Sequence, residues 1–243
     1  MLLKSEEVKK NETISDTMII IGHRGARAIR PENTIAALRE GGRCSDYVEI
    51  DVRLSRDGVP VIIHDPTLDR TTNGIGRVSD HTLAELRELD AGEGELIPTL
   101  AEVLALDLGG CGLVIELKES GYEDQIAAML RESTLSKVLI VSFDADCLRR
   151  ITSLLPEILV GSIFRSMEPD PFEVAKSIQV AFILSRFDLM TPKIVSSVGE
   201  AGLGVIAWTP NTKEEYQEAF RLGIDGIATD EPCDARRYLV QKE

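Results

Sequence analysis

From Met18 onward, short β-branched apolar runs alternate with stretches whose apolar residues recur every three or four positions. That rhythm predicts parallel strands joined by helical crossovers. The strand runs are MIII from Met18, YVEIDV from Tyr47, LVIEL from Leu113, VLIVSF from Val138, ILVGSIF from Ile158, VAFIL from Val180, GVIAW from Gly204 and DGIAT from Asp225. Eight such strands predict a closed (β/α)8 TIM barrel, an α/β fold. A ninth run, VPVIIH from Val59, follows the second strand across Asp57-Gly58, a strong hairpin signal. A hairpin reverses the chain, so this run is expected as an antiparallel excursion at the barrel mouth.

The longest stretch without a barrel strand runs from Asp65 to Pro98 and contains TTNGIG and a Thr82-x-x-Glu85 capping box. It reads as a small cap, after which a second box, Thr99-x-x-Glu102, opens the helix leading to LVIEL. Residues 1–17 are polar without period and read as a tail or a short surface helix. With no repeat and no low-complexity linker, the chain divides into that tail and one barrel domain over 18–243, with its cap at about 65–98.

Composition narrows the classes. With 43% apolar and 28% charged residues in 243, the chain can bury a full core, which excludes general disorder. A net charge of -14 argues against nucleic acid as partner, because displacing counterions needs a basic face. The four cysteines, Cys44, Cys111, Cys147 and Cys233, form no CxxC pair and are predicted to be buried thiols of a reducing compartment. The first residues lack the apolar core of a secretory signal, and no apolar run reaches the roughly 20 residues that span a bilayer. The expectation is a cytoplasmic protein without stable membrane association.

Candidate chemistry gathers at predicted strand ends, where barrel function resides. His23 closes MIIIGH and His64 closes VPVIIH, whereas His81 lies beside the cap helix and reads as structural. Two histidines facing one substrate suit base and acid in a single displacement; each taken alone fits an ordinary structural histidine as well. Glu49 and Asp51 lie two apart on one strand, so both side chains share a face, about 6.7 Å apart along it by the usual rise. On the barrel interior, such carboxylates call for a cation, a proton or a basic partner. Glu116 and Lys118 repeat the spacing on the next barrel strand. Three carboxylates at one mouth suit a hard divalent ion, Mg2+ or Ca2+. Lys118 suits an anionic substrate, or simply neutralises Glu49 or Asp51. Arg24, between His23 and Gly25, offers a fork matched to phosphate. Glu32 is placed to hold it, and Asn33 reads as the N-cap of the next helix.

Together His23-Arg24-Gly25, Pro31-Glu32-Asn33-Thr34, Glu49-Ile50-Asp51, Asp57-Gly58, His64-Asp65 and Glu116-Leu117-Lys118 resemble the glycerophosphodiester phosphodiesterases, relatives of the phosphatidylinositol-specific phospholipases C. The resemblance continues through Ser142-Phe143, Trp208-Thr209 with Asn211, and Thr229-Asp230. It implies a barrel that hydrolyses glycerophosphodiesters to glycerol 3-phosphate and an alcohol with a divalent metal. By matching positions, His23 and His64 are implied as the acid/base pair, Glu49, Asp51 and Glu116 as metal ligands, and Arg24 and Lys118 as phosphate holders. Phe143 and Trp208 are implied as an apolar wall beside the glycerol, with ordinary core as the other reading. Three rival readings remain: a lysophospholipase D or phospholipase C-like lipid enzyme, a metal-carboxylate barrel that abstracts a proton, and a non-catalytic barrel used as a binding module. The polar cap disfavours the first, Arg24 the second and the full polar set the third.

Overall fold

The computed structural model describes residues 18–166 and 171–240; the predicted tail lies outside them. Its strands are β1 (Ile19–Gly22), β2 (Tyr47–Leu54), β3 (Pro60–Ile62), β4 (Gly112–Leu117), β5 (Val138–Ser142), β6 (Leu159–Phe164), β7 (Phe182–Arg186), β8 (Gly204–Trp208) and β9 (Gly226–Thr229). The helices are α1 (Ile35–Gly42), α2 (Leu83–Leu86), α3 (Leu100–Leu104), α4 (Glu123–Glu132), α5 (Ala145–Leu154), α6 (Pro171–Ile178), α7 (Pro192–Glu200), α8 (Lys213–Leu222) and α9 (Pro232–Val240). The sheet order β1-β9-β8-β7-β6-β5-β4-β2 closes through the β1–β2 pair into an eight-stranded parallel barrel. Strand β3 pairs antiparallel with the outer part of β2, matching Val52 with Ile62 and Leu54 with Pro60. Gly58 makes that reversal at φ 77°, a conformation open to glycine without steric cost.

The period-2 alternation of each strand divides the core in two. Outward residues such as Val48, Ile50, Val52, Leu113, Ile115 and Leu117 pack beneath the helices. Inward residues Ile21, Val114, Val141, Ile163, Leu184, Ile206 and Ala228 fill the barrel. The barrel strands are therefore largely apolar on both faces, and the inner face turns polar toward the mouth. The insertion after β3 has its own small cluster of Val61, Ile63, Leu68, Val78, Leu86, Ala91 and Ile97. Both predicted capping boxes form, at Thr82–Glu85 and Thr99–Glu102, and a third forms at Thr212–Glu215.

The cysteines need correction. Cys44 and Cys233 are joined in a disulfide, while Cys111 and Cys147 are free and buried, as predicted. The bonded pair lies 189 residues apart in sequence, and packing of α9 against β1 brings its Cα atoms to 4.9 Å. Spacing rules see only near neighbours, so they miss such a pair. Among the described residues, no helix is long and apolar enough to cross a membrane.

Candidate active site

Inward alternation on β2 points Glu49 and Asp51 into the barrel, and parallel register sets Asp51 beside Glu116 of β4. One carboxylate oxygen from each lies within 4.8 Å of the others, and all three residues are largely or wholly buried. Glu49 Oε2 accepts the Arg24 backbone N–H at 2.8 Å, whereas its buried Oε1 has no hydrogen-bond partner. Burial and the neighbouring Asp51 and Glu116 push the Glu49 carboxyl well above its ordinary value. Burial and Asp51 also raise Glu116. Asp51 moves the other way, because Lys118, Arg24 and the Asn33 side chain outweigh its burial. A buried oxygen without a partner, inside a trio whose charges repel, fits a hard divalent cation.

Two cations flank the trio. Lys118 Nζ lies 2.5 Å from Glu116 Oε1 and 3.1 Å from Asp51 Oδ1. The neutralising role and an anion-binding role are thus open to the same ammonium, which has three donors. Arg24 Nη1 donates to Glu32 Oε1 at 2.7 Å, and its Nε makes an ion-pair contact with Asp51 Oδ2 at 3.3 Å without hydrogen-bond geometry. Arg24 and Asn33 both have positive φ, 52° and 60°, linked by an Asn33 N–H to Arg24 carbonyl bond of 3.1 Å. Non-glycine residues held there are strained and cluster at functional sites. Asn33 is not the helix cap: Thr34 caps α1, accepting from Ala37 N–H. The Asn33 amide instead donates to Asp51 Oδ2 at 2.7 Å, so it holds a candidate ligand rather than a helix end.

Each candidate histidine has an aspartate behind it. His23 Nδ1 lies 2.7 Å from Asp230 Oδ1, and His64 Nδ1 lies 2.6 Å from Asp65 Oδ1. Both aspartates are held below the usual carboxylate range, Asp230 by His23 against its burial and Asp65 chiefly by Arg70. An ionised carboxylate at Nδ1 selects the tautomer that donates there and leaves Nε2 as acceptor. Burial lowers His23 against the pull of Asp230. It also lowers His64, with Lys118 and Arg24 adding to it and Asp51 opposing. His81 is bonded to the Arg77 carbonyl, away from this cluster.

His23, Arg24, Glu49, His64, Glu116 and Lys118 all line one cavity of about 200 Å³. Its floor is the barrel interior of Ile21, Val114, Val141, Ile163 and Leu184, and Phe143 and Trp208 form part of its wall. Phe143 is exposed and lies under the Arg165 guanidinium, 4.4 Å from the ring centroid. Trp208 also packs against the inner apolar cluster, so it serves wall and core together. Glu32 sits outside this cavity, behind Arg24. Sequence reasoning singled out neither Arg27 nor Arg165 as cavity residues, nor Arg70, and it named Asn211, which donates to Asp230 Oδ2 at 2.9 Å, without giving it a role. Asp65 had a visible signal, adjacency to His64; Asp230 stands 207 residues from its histidine.

The sequence profile described as the Glycerophosphoryl diester phosphodiesterase family matches residues 23–233. A glycerophosphodiester phosphodiesterase of Caldanaerobacter subterraneus subsp. tengcongensis is 35% identical over 229 residues, covering 88% of this chain and 94% of that one. Among solved structures, an Oleispira antarctica phosphodiesterase in complex with the product sn-glycerol-3-phosphate is 32% identical, with a TM-score of 0.86 over 92% of this chain and 97% of that one. A glycerophosphodiester phosphodiesterase from Agrobacterium tumefaciens is 30% identical, with a TM-score of 0.80 over 90% of this chain and 99% of its own.

Proposed function

Because the chain belongs to the glycerophosphoryl diester phosphodiesterase family and is an enzyme of that class, we propose that it cleaves small glycerophosphodiesters through a cyclic phosphate, with His23 and His64 as base and acid. The observation that carries this reading is the convergence on one small cavity of two aspartate-backed histidines, two phosphate-matching cations and the carboxylates Glu49 and Glu116, which form a trio with Asp51. In the first step, one histidine accepts the proton of the glycerol 2-hydroxyl, whose oxygen attacks phosphorus. The other histidine, entering the step as the imidazolium paired with its aspartate, gives its Nε2 proton to the departing alcohol oxygen and is left neutral. Water then opens the cyclic phosphate with the two roles exchanged, giving glycerol 3-phosphate. Arg24 and Lys118 hold the phosphate oxygens throughout. Glu49, Asp51 and Glu116 would hold a divalent ion, Mg2+ or Ca2+, which would supply positive charge beside the phosphate and acidify a nearby hydroxyl. Phe143 and Trp208 form the apolar side against which the glycerol carbons lie.

Small water-soluble diesters are favoured over lipids by the cavity, whose volume of about 200 Å³ lies below the usual range for ligand pockets. Of the large apolar side chains in the insertion, Ile75 and Leu96 are exposed, and neither lines the cavity. The test is a 2-deoxy analogue of glycerophosphocholine, which keeps the phosphate contacts and lacks the internal nucleophile. It should bind and inhibit without turnover. Hydrolysis at a rate comparable to the parent compound rejects the cyclic phosphate and favours attack by water, the route of a lipid-directed enzyme. Location is tested separately. The Cys44–Cys233 bond points to an oxidising compartment and stands against the cytoplasmic expectation. Alkylation at lysis decides: four labelled thiols place the protein in a reducing compartment, two in an oxidising one.

A further inference from the structure

Arg70 belongs to the insertion and is a member of neither the carboxylate trio nor the cavity lining. Its guanidinium nevertheless engages two carboxylates at once. Nε and Nη2 donate to Asp65 Oδ2 and Oδ1 at 2.6 and 3.1 Å, while Nη1 and Nη2 donate to Glu32 Oε2 and Oε1 at 2.9 and 2.7 Å. Each of these carboxylates already serves a candidate active-site group. Asp65 Oδ1 backs His64 Nδ1 at 2.6 Å, and Glu32 Oε1 accepts from Arg24 Nη1 at 2.7 Å. One planar fork therefore ties the support of the acid/base histidine to the support of the phosphate-holding arginine.

Exposed ion pairs usually contribute little, and the Arg70 side chain is 46% exposed. Geometry makes this case different from a single contact. Two bidentate pairs on one guanidinium fix the plane of both carboxylates, which a flexible point charge does not. An Asp65 free to rotate about its own side-chain bonds holds His64 in no single orientation. Held by Arg70, it presents one oxygen to Nδ1 and directs Nε2 away from itself, on a residue that lines the cavity.

We propose that Arg70 is a positioning residue: it locks the orientation and tautomer of His64 through Asp65 and sets the Arg24 arm in register through Glu32. This inference rests on the reading that His64 and Arg24 act on the diester. Its signature, however, is independent of turnover, because the chain has only three histidines, His23, His64 and His81. Two-dimensional spectra of the imidazole nitrogens, recorded with Mg2+ at about pH 8 where neutral rings dominate, report each tautomer separately. Arg70→Met keeps the apolar stem and removes both forks. The expected result is a shift of the His64 nitrogen signals toward the mean of the two tautomers, with His23 and His81 unchanged. Turnover should fall about 10-fold, as misplacement of a catalytic group by a fraction of an ångström predicts. Affinity for glycerol 3-phosphate should weaken several-fold, and thermal stability should stay nearly constant. Arg70→Lys should rescue neither signal nor rate, since an ammonium does not fork two carboxylates. Unchanged His64 signals in Arg70→Met overturn the proposal, and so does a rate loss explained wholly by unfolding. Wild-type protein inactive on every glycerophosphodiester, yet showing the His64 shift in Arg70→Met, rejects the proposed function and leaves the positioning intact.

Discussion

The two histidines of the site are backed by nearly equal bonds to aspartate, 2.7 Å at His23 and 2.6 Å at His64, yet the two anchors are built in opposite ways. Asp230 follows β9 and reaches His23 because β9 pairs with β1 to close the barrel. Asn211, after β8, grips it from the other side, accepting from its backbone N–H and donating to its carboxylate, both at 2.9 Å. That anchor is a product of the whole sheet and lies deep, with the His23 side chain 15% exposed. His64 is instead backed by its own neighbour on the excursion beyond β3, and the outer support is a solvated arginine. Long-range closure holds one half of the site, where the part-exposed Arg27 adds an ion-pair contact of 3.2 Å to Asp230 Oδ1. The other half depends on local contacts that a single surface substitution can loosen.

The largest expected effects come from removing what both halves share. Exhaustive chelation should abolish turnover, and Mg2+ or Ca2+ should restore it and raise the melting temperature, because the ion binds only the folded trio. Full activity without metal removes the ion from the reaction. His23→Ala and His64→Ala should each cost about 10²-fold or more in turnover, with the double change far less than additive. A folded single variant with near-normal turnover is incompatible with the acid/base pair.

Substitution of the anchors sharpens the contrast. Asp230→Asn, at the deep anchor, should cost roughly 10²-fold because it disturbs the tautomer of a buried imidazole. Asp65→Asn, at the solvated anchor, should cost about 10-fold, since water can replace part of its hold. Turnover numbers in the reverse order would show that depth does not govern the coupling.

The smallest effect is on stability and concerns the trio alone. Glu49 is raised by burial and by Asp51 and Glu116, so the folded protein holds its proton above the ordinary value of 4.5, where the unfolded chain has lost it. Stability linked to this group is complete below that value and is lost as pH rises through the folded-state value. Metal-free protein should therefore show a melting temperature that declines over this interval more steeply than that of Glu49→Gln, which has nothing to titrate. Saturating Mg2+ should remove the difference. Parallel melting curves for the two metal-free proteins would mean that Glu49 is not held protonated.

Local periodicity by itself determined the strands, the antiparallel excursion and the shared inner face of Glu49 and Asp51, because side-chain alternation is a property of a few consecutive residues. The ordered motifs likewise marked His23, His64, Glu116, Lys118 and Arg24, since each stands where a predicted strand ends. Tertiary structure alone decided which groups meet. Parallel register put Asp51 beside Glu116, barrel closure brought Asp230 to His23, and helix packing joined Cys44 to Cys233. It also moved Asn33 from helix cap to partner of Asp51, because the positive φ at Asn33 turns its side chain inward and leaves Thr34 to cap α1. Pairings across tens or hundreds of residues follow from how strands and helices close on one another, and a single chain read along its length carries no local trace of that geometry.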